Sequence, residues 1–142
     1  MIDYKDFMHG AALVAIADSE KFTALNRASV KYGHYVVNHD RHLFIKYNAG
    51  EGPGDYFFTF SGEDKRRIDS EPALLVFAIL VCGNEVVTGI TRDELSHLIP
   101  LTTSASSTVK VAAHQGRQLR VSGPKGQLPR ISRGSFPARI LA

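Results

Sequence analysis

Near the N-terminus, apolar residues recur at helical spacing: Phe7, Ala11 and Val14, with Ala15 beside them, share one face. Asp3 stands as an N-cap with Asp6 three residues on, and the spacing predicts a helix over Tyr4–Ala17. The period then changes. Residues 21–29 suit either a short helix or an edge strand, and the strand is adopted because β-branched and aromatic residues dominate from Val30 to Tyr47. Only the turn formers Asn38-His39-Asp40-Arg41 interrupt them, which predicts a hairpin of 32–38 against 42–47.

The glycine-rich loop from Asn48 to Asp55 leads into a short aromatic strand, 56–60. Ser61-Gly62-Glu63-Asp64 has the form of a capping box, in which the hydroxyl and the third-position carboxylate satisfy each other's free backbone donors. A helix over residues 62–70 follows, stopped by Pro72. Next come an apolar strand over 73–82, a turn at Gly83-Asn84 and a short strand over 85–89. A second capping box, Thr91-Arg92-Asp93-Glu94, opens a helix ending near Ile99 before Pro100. After a Ser/Thr connector over 101–107, residues 108–113 and 118–121 flank His114-Gln115-Gly116-Arg117 at the spacing of another hairpin. The tail from Gly123 is rich in proline and glycine and is expected to run extended over the sheet. The fold class expected is α+β: a mixed or antiparallel sheet with two or three helices in one domain, 1–142. Residues 1–100 form its core, and 101–142 a β-rich extension packed on the same sheet.

Composition supports a packed chain of 142 residues, 44% hydrophobic and 22% charged. The lone Cys82 lies at the end of the apolar run, so no internal disulfide can form and a buried thiol in a reducing compartment, the cytoplasm, is expected. That run is too short for a bilayer, which needs about 20 apolar residues, and no membrane partner is expected.

Charge changes the picture more. All fourteen acidic residues lie between Asp3 and Glu94; against ten cations they leave residues 1–98 at −4. Residues 99–142 hold no acid and seven cations: Lys110, Arg117, Arg120, Lys125, Arg130, Arg133 and Arg139. A block with that excess repels itself unless something anionic lies near, and its arginine bias suits forked contacts to phosphate. Little aromatic interleaving accompanies it, so base stacking is not indicated. The competing account is that the basic block folds back onto the acidic one as internal ion pairs.

Other candidate chemistry is weaker. The loop Gly50-Glu51-Gly52-Pro53-Gly54 carries an acid and a proline and leads into a strand, so it reads as a hairpin connection needing positive φ rather than a phosphate loop. His34, His39 and His42 cluster in sequence around Asp40, but they straddle a tight turn without a cysteine and read as exposed turn histidines, with no metal expected. His97 and His114 are isolated. No Gly-x-Ser-x-Gly elbow is present, and Cys82 in an apolar strand makes a poor nucleophile.

The order helix, hairpin, aromatic strand, capped helix, buried strand, with Lys46 on the hairpin's second strand, resembles the core of the restriction-endonuclease-like nucleases. That family carries an acidic residue followed by Glu-x-Lys or Asp-x-Lys on a strand; the corresponding tripeptide here is Phe44-Ile45-Lys46. The resemblance implies a nuclease using Mg²⁺ or Mn²⁺, with Lys46 positioning the nucleophile and Asp40, Glu20 or Asp18 supplying the acid that Phe44 does not. The alternative for Lys46 is an edge-strand lysine that discourages pairing between sheets.

The leading expectation is a non-catalytic protein holding nucleic-acid phosphates through the seven C-terminal cations, without a cofactor. The metal-dependent nuclease is the second. The third is an interaction subunit whose basic arm docks on an acidic protein or crosses to its mate in a homodimer.

Overall fold

The apolar run around Phe77 and Ile79 organises everything else, because a strand buried on both faces has no polar side to give to solvent. The computed structural model describes residues 4–29, 32–114 and 118–141. The chain runs α1 (Tyr4–Ala17), β1 (Leu25–Ser29), β2 (His34–Val37), β3 (Arg41–Asn48), β4 (Asp55–Phe60), α2 (Gly62–Ser70) and β5 (Leu75–Cys82). It continues through β6 (Val86–Thr91), α3 (Arg92–Ser96), β7 (Ser107–Ala112), β8 (Arg120–Gly123), β9 (Gly126–Gln127) and α4 (Ala138–Leu141). The class is α+β. Asp3, expected to cap α1, lies outside the described residues.

Two sheets share the chain. The first is mixed and ordered β1-β2-β3-β5-β6, with β3 parallel to β5 and the other pairs antiparallel; the second is antiparallel and ordered β4-β7-β8-β9. Side chains alternate across β5: Phe77, Ile79 and Val81 enter one core, Val76, Ala78, Leu80 and Cys82 the other.

The first core lies under α1. Met8, Ala12 and Ile16 pack on Leu43, Ile45, Phe77 and Ile79, with Ile140 and Leu141 of α4 completing the layer. The expected buried face of α1 is therefore the wrong one, since Phe7 and Val14 remain 64% and 59% exposed. This helix carries apolar residues around much of its circumference, so the sheet beneath it, rather than its own spacing, selects the buried side.

The second core lies between the sheets. Tyr56, Phe58 and Phe60 of β4 meet Val109, Val111 and Val121 from the C-terminal strands, and Ile68 and Leu95 close it from α2 and α3. Burying side chains such as Phe58 and Phe60 stabilises the fold by roughly 1.5–3 kcal/mol each. The C-terminal extension packs on the first sheet through this core, and it does so as a second sheet: it pairs with β4, from Asp55 opposite Ala112 to Phe60 opposite Ser107. The glycine loop consequently joins two sheets rather than the arms of a hairpin, with Gly50 and Gly54 at φ of 95° and 82°.

Both capping boxes form. Ser61 Oγ accepts from Asp64 N and the Asp64 carboxylate accepts from Ser61 N, and Thr91 with Glu94 repeats the arrangement. Lys65 of α2 is fully buried, donating through Nζ to Thr103 Oγ1 at 2.7 Å and Ser107 Oγ at 3.1 Å, which ties the Ser/Thr connector to the helix. Gly33 enters β2 at φ 60°, where an added Cβ would stand 2.6 Å from Ile45 O.

Candidate nucleic-acid interface

The six C-terminal cations among the described residues separate into two groups. Arg133 donates through Nη2 to Glu85 Oε2 at 3.2 Å and through Nη1 to Ala113 O at 3.2 Å. Arg139 donates to Glu94 Oε2 at 2.8 Å and also to Gly89 O. These two fix the tail to β6 and to the strand–helix junction, as the fold-back account expects. Lys125 donates to Ser96 O at 2.7 Å, capping the end of α3 from the β8–β9 turn.

Lys110, Arg120 and Arg130 lie on or beside the outer face of the second sheet. Val109 and Val111 face the core, so the intervening Lys110 faces solvent; its partner position Ser122 and the pair Ala112–Arg120 share that side. Lys110 Nζ stands 4.0 Å from Asp55 Oδ1 and lies over the Phe57 ring, while His114 Nε2 approaches the same carboxylate at 3.5 Å. The side chains of Arg120 and Arg130 make no ion pair or hydrogen bond among the described residues. Together with Ala112, His114 and Gln118 they line a cleft of ≈ 630 Å³. Arg117 lies outside the described residues, in the short segment between His114 and Gln118.

The residues implied by the nuclease resemblance do not converge. Lys46 Nζ donates to Asp64 Oδ2 at 2.6 Å and lies over the Phe60 ring. Asp40 sits beyond the opposite end of β3, about 20 Å along an extended strand, and pairs with Arg41 Nη1 at 2.7 Å. Glu20 is exposed beyond the end of α1, near Pro137 and Leu141. Nor is Lys46 on an edge: β3 runs between β2 and β5, and the lysine serves α2 instead. Burial pushes the Asp64 carboxyl up, but the hydrogen bonds from Lys46 and the Ser61 N–H outweigh it and hold the group below its ordinary range.

The histidines also differ from expectation. His39 is exposed at the turn with φ 65°, but His34 is buried and His42 half-buried. β2 and β3 pair with His34 opposite Phe44 and Val36 opposite His42, so the two histidines occupy one face as diagonal neighbours. His34 Nε2 lies 2.9 Å from His42 Nδ1, and the His34 ring stacks on Phe44 at 4.2 Å. Burial first, and His42 second, push the His34 imidazole down to about 4, so it is neutral at neutral pH. Glu71 reaches the pair from the end of α2, its Oε2 3.6 Å from His42 Nδ1. Sequence reasoning missed Glu71; the hairpin register could have revealed the histidine pair.

The architecture is thus a mixed sheet backed by a helix and faced by a small antiparallel sheet, with Arg120 and Arg130 at a cleft on its outer side and without an acidic partner among the described residues. No family model, curated protein or solved structure matches the chain. Among the described residues no helix is long and apolar enough to cross a membrane.

Proposed function

We propose that the protein binds nucleic acid without cleaving it, holding backbone phosphates on the outer face of the second sheet. The observation that carries this reading is the pair Arg120 and Arg130, which line one cleft and have no acidic partner among the described residues. Guanidinium groups in that situation offer forked donors that match phosphate oxygens, and neutralising each phosphate releases a counterion. Lys110 extends the footprint along β7, while Gln118 and His114 add further polar groups at the cleft. Arg133, Arg139 and Lys125 belong to the scaffold rather than to the ligand. The lone thiol of Cys82 suits the cytoplasm as the place where this occurs.

Fluorescence anisotropy with labelled single-stranded and duplex oligonucleotides, repeated at several salt concentrations, tests the reading. With about three or four phosphates neutralised, log K should fall with log salt at a slope of about −2 to −4. Absence of binding at low salt, or binding indifferent to salt, overturns it.

A further inference from the structure

His34, His42 and Glu71 come from three different elements and bring one ligand atom each to within 4.8 Å of the other two. The positions are built rather than incidental. His34 is 4% exposed and clamped by its stack on Phe44. Glu71 is the C-cap of α2, where Arg92 Nη1 donates to its carbonyl at 2.6 Å and also takes Ile68 O, while Arg92 Nη2 takes Ala73 O. Glu71 Oε1 accepts from Ala73 N at 3.4 Å, which leaves Oε2 facing His42. A single shared N–H cannot satisfy both the imidazole and the carboxylate that approach His42 Nδ1. Whichever tautomer is taken, lone pairs converge on a common centre, and a cation there would relieve them.

We propose that His34, His42 and Glu71 bind one divalent transition-metal ion of the zinc class. Bonds of about 2.0–2.1 Å in a tetrahedral shell place neighbouring donors about 3.3 Å apart, and the two shorter separations here, 2.9 Å and 3.6 Å, lie on either side of that value. Two imidazoles with one carboxylate suit zinc and its neighbours, whereas calcium and magnesium take shells of oxygen. Three protein donors leave a fourth position, on the side where His42 and Glu71 are each 19% exposed, for water. The ion would bridge the β2–β3 hairpin to the end of α2, so binding must also stabilise the fold.

The full chain, stripped with a chelator, is titrated with Zn²⁺ alone by calorimetry, with Co²⁺ as a spectroscopic reporter and thermal unfolding as a second readout. Expected are one ion per chain, d–d absorption of bound cobalt that zinc displaces, and a rise in Tm. His34→Ala would cut into the core, so the decision falls on the partly exposed ligands. Glu71→Gln and His42→Ala should each weaken binding by about tenfold or more, and His39→Ala should leave it unchanged. The proposal is overturned by lack of saturable Zn²⁺ binding, by affinity unchanged in both ligand variants, or by loss of binding in His39→Ala.

Discussion

Lys46 and Asp64 meet at 2.6 Å across the junction of β3 and α2, and the same carboxylate oxygen accepts the Ser61 N–H at 3.0 Å. One oxygen thus serves as helix cap and as counter-ion to a strand lysine. Removing the carboxylate strips both partners: Asp64→Ala should cost about 2 kcal/mol, combining a lost cap with a charge-assisted hydrogen bond. Urea unfolding measures the loss, and a double-mutant cycle with Lys46→Met should show coupling of about 1 kcal/mol.

The same contact predicts an acid limb. The folded-state pKa of Asp64 lies below its ordinary value of 3.8, so the stability it contributes is full above the unfolded-state value. It is lost as pH falls through the folded-state value, because there the unfolded chain takes up the proton first. Denaturation followed from pH 5 downward should be less steep in Asp64→Asn than in the parent chain; equal slopes would remove the assignment.

The basic residues should divide by experiment as they divide in space. Arg133→Ala and Arg139→Ala should each lower stability by about 1 kcal/mol through lost bonds to the backbone carbonyls of Ala113 and Gly89, yet leave the salt slope of oligonucleotide binding unchanged. Arg120→Ala with Arg130→Ala should do the reverse, keeping stability and reducing the slope by about 0.7–0.9 for each phosphate contact removed. Parallel effects in both groups would contradict the division.

Cys82 is buried at the end of β5, and burial pushes its thiol up to about 12. Native chain should react with a thiol reagent far more slowly than denatured chain, since both access and thiolate are lacking. Rapid native labelling would displace the thiol from the core.

Lys65 offers a contrast with Lys46, since its ammonium meets only hydroxyls among its hydrogen-bond partners. Lys65→Met keeps the buried stem and removes a charge whose desolvation is costly, so stability should change by less than about 1 kcal/mol. Lys65→Ala instead opens a cavity and should cost about 2–4 kcal/mol. Chemical denaturation of the two variants distinguishes stem from charge.

Local signals were fully legible in the sequence. Ser61 with Asp64 and Thr91 with Glu94 mark helix starts because their partners lie within a few residues, and both boxes form as read. The hairpin turn at Asn38-His39-Asp40 is equally local, with Asn38 and His39 both at positive φ. What escaped depends on distant segments. Choosing between Phe7, Ala11 and Val14 and the neighbouring set Met8, Ala12 and Ile16 requires knowing where Leu43 and Phe77 will lie. Assigning the C-terminal strands to β4 requires knowing that β5 leaves one face uncovered. Dividing the arginines requires Glu85 and Glu94 to be placed, and Glu71 reaches the histidines only after α2 has folded back over the hairpin.

Ile140 and Leu141 share a core with Met8, Ala12 and Ile16, and Arg41 Nε donates to Ile140 O across ninety-nine positions of chain. On the ribosome the order of events is therefore unfavourable to the N-terminal helix. β3 and β5 are made by residue 82 and can cover much of its inner side, but the gap that Ile140 fills stays open until the final turn emerges. At the ~5–20 residues per second of synthesis, roughly 6–25 s separate Ile16 from Ile140. Until α4 docks, the part of the α1 core that Ile140 and Leu141 cover stays open to solvent, so the seating of the N-terminal helix is completed only by a segment made more than a hundred residues later.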